Sequence, residues 1–257
     1  MKIRFLGTGT SQGIPVVACD CEVCNSTDVK DKRLRSSVLI EKNGSKILID
    51  AGPDFRQQML LAKVDKLAGI LLTHEHKDHV AGLDDVRGFN YIEQKPSDVY
   101  AEKRVLECLK NYEFHYAFRE NKYPGIAEMN LLEIENKDFF IQEIKISPVR
   151  GLHHKLPVLG FKIDDFVYIT DMNFISDQEI EKIRNCKVFV INAVRKEWHF
   201  SHFNLSEALE VIKKVCPQKA YITHISHRMG FHEEESALLP ENVFFSYDNL
   251  EIVLQDK

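Results

Sequence analysis

Within the six residues His74-Glu75-His76-Lys77-Asp78-His79 the chain places four side chains suited to metal binding, directly after the apolar run Gly69-Ile70-Leu71-Leu72. Imidazole nitrogen and carboxylate oxygen are donors for zinc, manganese or iron. In an extended segment His74 and His76 point the same way. Asp78 and His79 follow where the chain would turn into a helix, so the two pairs diverge and one segment could serve two ions. A solvated charged turn is the plain alternative, and it holds only if partner donors are missing elsewhere. Three positions supply them. His153, Asp171 and His224 each stand at the end of an apolar strand pattern, after Ile146–Gly151, Tyr168–Thr170 and Ala220–Thr223. Singly, each reads as a cap or turn residue; jointly, they complete a seven-donor set. Two divalent ions about 3.5–4 Å apart could share a water, lower its pKa towards about 7 and present it in line with a phosphoryl centre.

A second cluster, Cys19-x-Cys21-x-x-Cys24, brings three thiolates together and leaves a tetrahedral zinc one donor short. His227, three residues beyond His224, is the economical fourth ligand, with His232 or Cys216 as alternatives. The remaining cysteines, Cys108, Cys186 and Cys216, lie singly, so the clustering of Cys19, Cys21 and Cys24 is metal spacing rather than a disulfide framework. Asp50 ends its own strand pattern and could accept the second N–H of a ligand histidine, or simply cap a turn. Arg150 and Arg228 could hold a substrate phosphate or lie on the surface. His115, without a companion donor, reads as packed or exposed.

The elements that must position these groups are strand-rich. Residues 2–6 read as a strand entering the turn Gly7-Thr8-Gly9-Thr10-Ser11-Gln12-Gly13, which lacks the Gly-Lys-Ser/Thr ending of a nucleotide P-loop. Strands over 37–40 and 46–50 flank Asn43-Gly44, a hairpin signal. A helix over 54–62 takes Asp54 as N-cap. A strand over 98–100 and a helix near 102–109 come next, then an aromatic stretch that resists assignment. Strand patterns at 131–134, 139–141, 144–149, 158–163 and 166–170 read as a meander. Helices at 177–183 and 204–215 then alternate with strands at 188–191 and 220–223, before a short helix near Glu233 and strands near Val243 and Ile252. The expected class is α+β, an αββα sandwich of two facing, mostly antiparallel sheets with helices outside.

With 257 residues and 44% hydrophobic content the chain can bury a large core, and one domain over 1–257 is expected. Net charge is −5, with 34 basic and 39 acidic residues well mixed, which gives no footprint for indiscriminate nucleic-acid binding. No apolar run is long enough to span a membrane, so a cytoplasmic protein is the default.

The His-x-His-x-Asp-His motif and the later His153, Asp171 and His224, in that order, resemble the metallo-β-lactamase fold superfamily over essentially the whole chain. The resemblance implies His74, His76 and His153 on one metal, Asp78, His79 and His224 on the other, and Asp171 bridging. It favours His153 over His154 and supports Asp50 behind the ligands. Asp171 stands where zinc β-lactamases carry cysteine, which argues against antibiotic hydrolysis. In phosphodiesterase members a histidine before the corresponding helix assists the leaving oxygen. His202, just ahead of the N-cap Asn204, matches it better than His199 and is expected to act as general acid, with Asp78 in the catalytic set as well as among the ligands. Cys-x-Cys-x-x-Cys after Gly-Ile-Pro, together with Thr-His-Ile-Ser-His, resembles the PhnP-type cyclic phosphodiesterases. The resemblance therefore implies two catalytic divalent ions (zinc or manganese), one structural zinc, a small phosphodiester substrate, open or cyclic, and a homodimer. A tRNA 3′-processing endonuclease of the RNase Z kind shares the ligands but needs an arm for which the segment between His153 and Asp171 leaves no room. A non-catalytic metal-stabilised binding protein is the remaining alternative.

Overall fold

A computed structural model describes residues 1–120 and 124–255. Two compact units emerge, one formed by Met1–Leu6, Ser37–Glu135 and Glu251–Lys257, the other by Gly7–Ser36 and Asn136–Leu250.

The first unit holds a sheet whose strands run, edge to edge, Glu251–Val253, Lys2–Gly7, Ser37–Lys42, Ser45–Ile49, Gly69–Leu71, Ser97–Ala101 and Met129–Glu133. The hairpin at its centre is set by Asn43 and Gly44, which adopt φ of 53° and 75° and so make the primed turn that matches strand twist. Beyond Ser45–Ile49 the pairings become parallel. Central strands of a parallel run are buried on both faces, which explains why Ile47-Leu48-Ile49 and Ile70-Leu71 read as continuous apolar runs. The strand expected at 131–134 belongs here, parallel to Ser97–Ala101, and not to the later meander. Apolar content locates a strand but does not say which sheet receives it. The helix Phe55–Ala62 starts after Asp54, whose side chain closes no cap bond. It buries Phe55 and Met59 among Ile70, Leu83, Val99 and Val105, each such side chain contributing about 1.5–3 kcal/mol. The unassigned aromatic stretch forms short helical turns, Leu109–Glu113 and His115–Phe118, with His115 exposed.

In the second unit the sheet order is Phe174–Ile175, Ile144–His153, Leu156–Ile163, Phe166–Tyr168, Val188–Asn192, Lys219–Thr223 and Val243–Phe245, with Phe139–Ile141 paired to Ile144–His153. Its first half is antiparallel and its second half parallel, so each sheet is mixed. The helix Leu205–Val215 follows from its sequence. Asn204 accepts from Glu207 N while Glu207 accepts from Asn204 N, a reciprocal capping box. Ala208, Val211, Ile212 and Val215 recur at helical spacing and enter the core with Phe189, Ile191 and Ile222. Asp177–Ile183 has the predicted bounds, with Ser176 capping Glu179 N. Among the described residues no helix is long and apolar enough to cross a membrane.

Candidate metal centre

Apolar strands deliver the donors, and hydrogen bonds behind the donors set which nitrogen is bare. In the first unit the chain is extended through His76, which has φ of −63° and ψ of 148°, and turns into the helical segment Lys77–Val80. That change of conformation carries Asp78 and His79 into the helical turn, although the His79 ring stays 4.3 Å from that of His74, closer than the 4.6 Å between His74 and His76. His74 and His79 are fully buried, Asp78 nearly so, and His76 is exposed. Glu75, the other donor type in the motif, is taken by an ion pair with Arg104.

Asp50 organises this cluster. One carboxylate oxygen accepts from His79 Nδ1 at 2.7 Å, and the other accepts from Thr73 N at 2.9 Å. The Thr73 hydroxyl lies 2.9 and 3.1 Å from the two oxygens and donates to this carboxylate, so it must accept from His74 Nδ1 at 2.9 Å. Both histidines are thereby held with Nδ1 protonated and Nε2 bare, the state a metal requires. The bare His74 Nε2 lies 3.1 Å from His76 Nδ1. Two nitrogens each about 2.0–2.1 Å from one ion are separated by roughly this distance. Burial pushes the Asp50 carboxyl above its ordinary range, with His79 and Thr73 pulling the other way.

The second unit repeats the device with different partners. His153 Nδ1 donates to the Ser201 carbonyl at 2.7 Å, leaving Nε2 bare. His154 is exposed, with φ of 56°, so its side chain leaves the cluster that its neighbour enters. The Ser36 hydroxyl donates to Gly9 O at 3.0 Å and accepts from His224 Nδ1 at 3.3 Å. The other nitrogen, His224 Nε2, lies 3.2 Å from Asp171 Oδ1 and 3.0 Å from Thr10 Oγ1. Asp171 is steadied on its second oxygen by Thr170 Oγ1 at 2.7 Å. Its neighbour Met172 is gripped at both N and O by the Asn192 amide. Asp50, Asp171 and His224 all adopt left-handed backbone, with φ of 62°, 57° and 55°. For residues other than glycine that conformation is uncommon and gathers at functional sites.

His202 is buried against this group, its ring 4.5 Å from His153 and 5.0 Å from His224 between centroids. Its Nδ1 lies 3.7 Å from Asp171 Oδ1. His153, Asp171 and His202 bring donor atoms within 4.8 Å of one another. Burial pushes His202 down to about 3, with Asp171 opposing and His224 and His153 adding to the depression, so the imidazole is neutral near pH 7.

The cysteine cluster closes on His227. Its Nδ1 lies 3.3, 3.3 and 3.5 Å from the sulfurs of Cys19, Cys21 and Cys24. A tetrahedral zinc with Zn–S of about 2.3 Å and Zn–N of about 2.0–2.1 Å requires S···N edges of about 3.5 Å, so the four residues fit that ion. Bonding from the Cys24 backbone lowers the Cys21 thiol to about 6, while burial raises that of Cys24 to about 11. The two alternatives lie elsewhere: His232 Nδ1 is 3.1 Å from Arg33 Nη2, and Cys216 is an exposed helix C-cap. Arg228 is exposed on the turn beside His227, and Arg150 lies in the strand Ile144–His153.

Sequence reading missed Thr73, Ser36, Asn192 and Thr10. One signal was available: Thr73-His74, Thr170-Asp171 and Thr223-His224 all place threonine immediately before a strand-end donor.

Residues 45–225 match the family description "Beta-lactamase superfamily domain". A curated relative named octanoyltransferase, from Porphyromonas gingivalis, is 40% identical over 260 residues, covering 100% of this chain and 52% of that protein. A ribonuclease Z from Exiguobacterium is 30% identical over 171 residues, covering 64% of this chain and 49% of that protein. The chain thus spans about half the length of these relatives. Among solved structures, a diphosphatase from the PhnP family superposes with a TM-score of 0.92 at 32% identity, covering 99% of this chain and 98% of that one.

Proposed function

Because the chain belongs to the beta-lactamase superfamily and has its fold, we propose that it is a metal-dependent hydrolase that cleaves a small phosphodiester. The observation that carries this reading is the orientation of the histidines: hydrogen bonds behind His74, His79, His153 and His224 take the proton-bearing nitrogen of each and leave the other nitrogen without a proton, the form that binds metal. Four imidazoles so prepared, in two carboxylate-bearing clusters, are the donor set of a binuclear centre. In this reading His74, His76 and His153 hold one ion, Asp78, His79 and His224 hold the other, and Asp171 serves both. When bound, two divalent ions would bring a water to a pKa near about 7 and neutralise phosphoryl oxygens. Zinc suits the imidazole-rich set and manganese its carboxylates. In this reading Asp78 and Asp171 would hold the ions, and His202, with Nδ1 3.7 Å from Asp171 Oδ1, would serve as general acid. His202, neutral in the free protein, would take a proton from solvent as the anionic substrate binds and give it to the departing alkoxide. Cys19, Cys21, Cys24 and His227 hold a structural zinc, and free thiols beside a zinc ligand set suit a reducing cytoplasm.

The similarity to a ribonuclease Z supports a second reading, tRNA 3′-end cleavage by the same donors. Against it, the segment between His153 and Asp171 is filled by the strands Leu156–Ile163 and Phe166–Tyr168 and carries no arm. The octanoyltransferase name belongs to a protein about twice this chain's length, and that activity is not carried over.

The test is hydrolysis of bis(4-nitrophenyl) phosphate by protein reconstituted with zinc or manganese, by chelated protein and by His202→Ala, with precursor tRNA in parallel. We expect turnover that needs metal and falls at least about 100-fold in the variant, the scale of one general acid. Full activity in the variant removes His202 from the mechanism, no turnover with either metal refutes the hydrolase reading, and cleavage of precursor tRNA selects the second.

A further inference from the structure

The turn Gly7-Thr8-Gly9-Thr10-Ser11-Gln12-Gly13 lacks the ending of a nucleotide P-loop, yet it is held from several sides and reaches His224 in the second unit. Gly9 N donates to Leu34 O at 2.8 Å, Thr10 N to Ile225 O at 3.1 Å, and Gly13 N closes the turn on Thr10 O at 2.8 Å. Two of its glycines are required. A Cβ on Gly9 would stand 3.0 Å from both Arg33 Cβ and Leu34 O, and Gly13 has φ of 66° with Arg33 O 3.0 Å from where its Cβ would be. At the root of the turn Thr8 Oγ1 donates to Asp248 Oδ1 at 2.7 Å and accepts from the buried Arg33 at 2.8 Å. Thr10, only 8% exposed, is therefore fixed through its backbone and not through its side chain.

Among the described residues the Thr10 hydroxyl has one partner, His224 Nε2 at 3.0 Å. The direction of that bond follows from the far side of the ring. His224 Nδ1 donates to Ser36 Oγ, which itself donates to Gly9 O, so Nδ1 carries the proton and Nε2 offers a lone pair. Thr10 is thus the donor, and the lone pair it meets is the one a metal requires. Once Nε2 is committed to a metal, the Thr10 hydrogen loses its acceptor while the backbone keeps its oxygen in place. A buried hydroxyl without an acceptor is unfavourable. Asp171 Oδ1, 3.2 Å from the same nitrogen, is claimed as a ligand in that state. The acceptor must then come to the centre from outside. Water can fill the role at rest, and a phosphoryl oxygen fills it better, because an O–H donated to a charged oxygen makes a shorter and stronger bond.

We propose that Thr10 is a switched donor, bonded to His224 Nε2 in the metal-free protein and, in the metal-loaded protein, to a non-bridging oxygen of the bound phosphate. This rests on the phosphodiesterase reading above and adds to it a substrate-binding residue from a turn that carries no metal ligand.

Thr10→Val and Thr10→Ala delete the hydroxyl, the first keeping the shape, and Thr10→Ser retains it. Two titrations are compared with native protein: zinc in competition with a chromophoric chelator, and inorganic phosphate into zinc-loaded protein by calorimetry. The usual strength of a hydrogen bond to a charged group predicts that Thr10→Val and Thr10→Ala bind phosphate about 10- to 150-fold more weakly than native, with Thr10→Ser within about threefold of it. Zinc affinity should stay within about threefold of native in all three, short of the loss caused by removing a partner that orients a ligand, since the bond to His224 is given up on metal binding in any case. The proposal is overturned by native phosphate affinity in the two deletions, by an equal loss in Thr10→Ser, by native protein that binds no phosphate, or by a larger shift in zinc affinity. Turnover of bis(4-nitrophenyl) phosphate by native protein separates the two readings. Turnover with native phosphate affinity in Thr10→Val removes the donor and keeps the hydrolase, whereas the expected phosphate pattern without turnover keeps the donor and removes the hydrolase.

Discussion

Replacing Asp50 by asparagine tests whether the hydrogen bonds behind the histidines control metal binding. The change keeps the shape and removes the charge of a fully buried side chain. The carboxylate receives donors on both oxygens, from Thr73 N, Thr73 Oγ1 and His79 Nδ1. An amide has one oxygen to offer them. The Thr73 N–H cannot rotate away, so the amide oxygen must face it and the NH2 group must face His79 Nδ1. His79 then has to accept at Nδ1, which moves its proton to Nε2, the nitrogen meant for the metal. Binding would require reversing that tautomer at the cost of setting two N–H groups against each other. Outer hydrogen-bond partners of ligand histidines are typically worth about 10- to 100-fold in metal affinity, which is about 1.4–2.7 kcal/mol. The lost charge-assisted bond, at about 1.5–3 kcal/mol, agrees. Fold stability without metal should change less, because the substitution also removes a carboxylate whose ionised form burial disfavours. Asp50 is raised in the folded protein, so whatever stability its protonation lends is present in acid and lost as pH rises. The measurement is competition for zinc against a chromophoric chelator, with denaturant melts of metal-free protein as control. Zinc affinity within about threefold of native, in a variant that melts normally, would refute the tautomer argument.

Two further outcomes are expected. Purified Cys21→Ala should carry one zinc fewer per chain by elemental analysis and melt at lower temperature, because structural zinc sites supply folding free energy directly, up to about 10–16 kcal/mol in isolated peptides; an unchanged zinc count would dissolve the four-residue site. A buried polar network should balance stability in mild acid. Burial raises Asp248 to about 6, so its contribution is full below the ordinary carboxylate range and fades as pH climbs through about 6. Burial lowers His232 to about 4, so its contribution is full above about 6.5 and fades as pH falls through about 4. The two slopes oppose each other between about pH 4 and 6. His232→Gln should therefore make the protein gain stability, relative to native, on going from pH 7 to pH 4.5 in denaturant melts, and parallel pH profiles for the two proteins would contradict this.

Strand ends were legible because an apolar run followed by His or Asp is a simple pattern. His74, His153, Asp171 and His224 stand where that pattern places them, and Asn204 as N-cap marked the start of the helix after His202. Pairing was not legible. Met129–Glu133 joins the first sheet through contacts with Ser97–Ala101, far away in sequence, and nothing in its own residues announces the partner. The turns over 109–118 escaped because aromatic residues there serve packing rather than a periodic face. Behind the donors the difficulty is longer range: Ser36 reaches His224 across 188 positions, and Ser201 reaches His153 across 48. A serine hydroxyl or a backbone carbonyl carries no sign of such a task. Thr73 was the exception, since it adjoins its histidine.

The left-handed backbone at Asp50, Asp171 and His224 has an evolutionary side. Glycine adopts that conformation freely, whereas other residues there cost of order 1–3 kcal/mol. Glycine would relieve that strain at each position, although at position 50 it would also leave the buried donors of Thr73 and His79 without their acceptor. Their persistence as aspartate and histidine would therefore need purifying selection on chemistry in every generation. A descendant that had stopped using the centre would betray it first at positions 50, 171 and 224, while the sheets around them still looked intact.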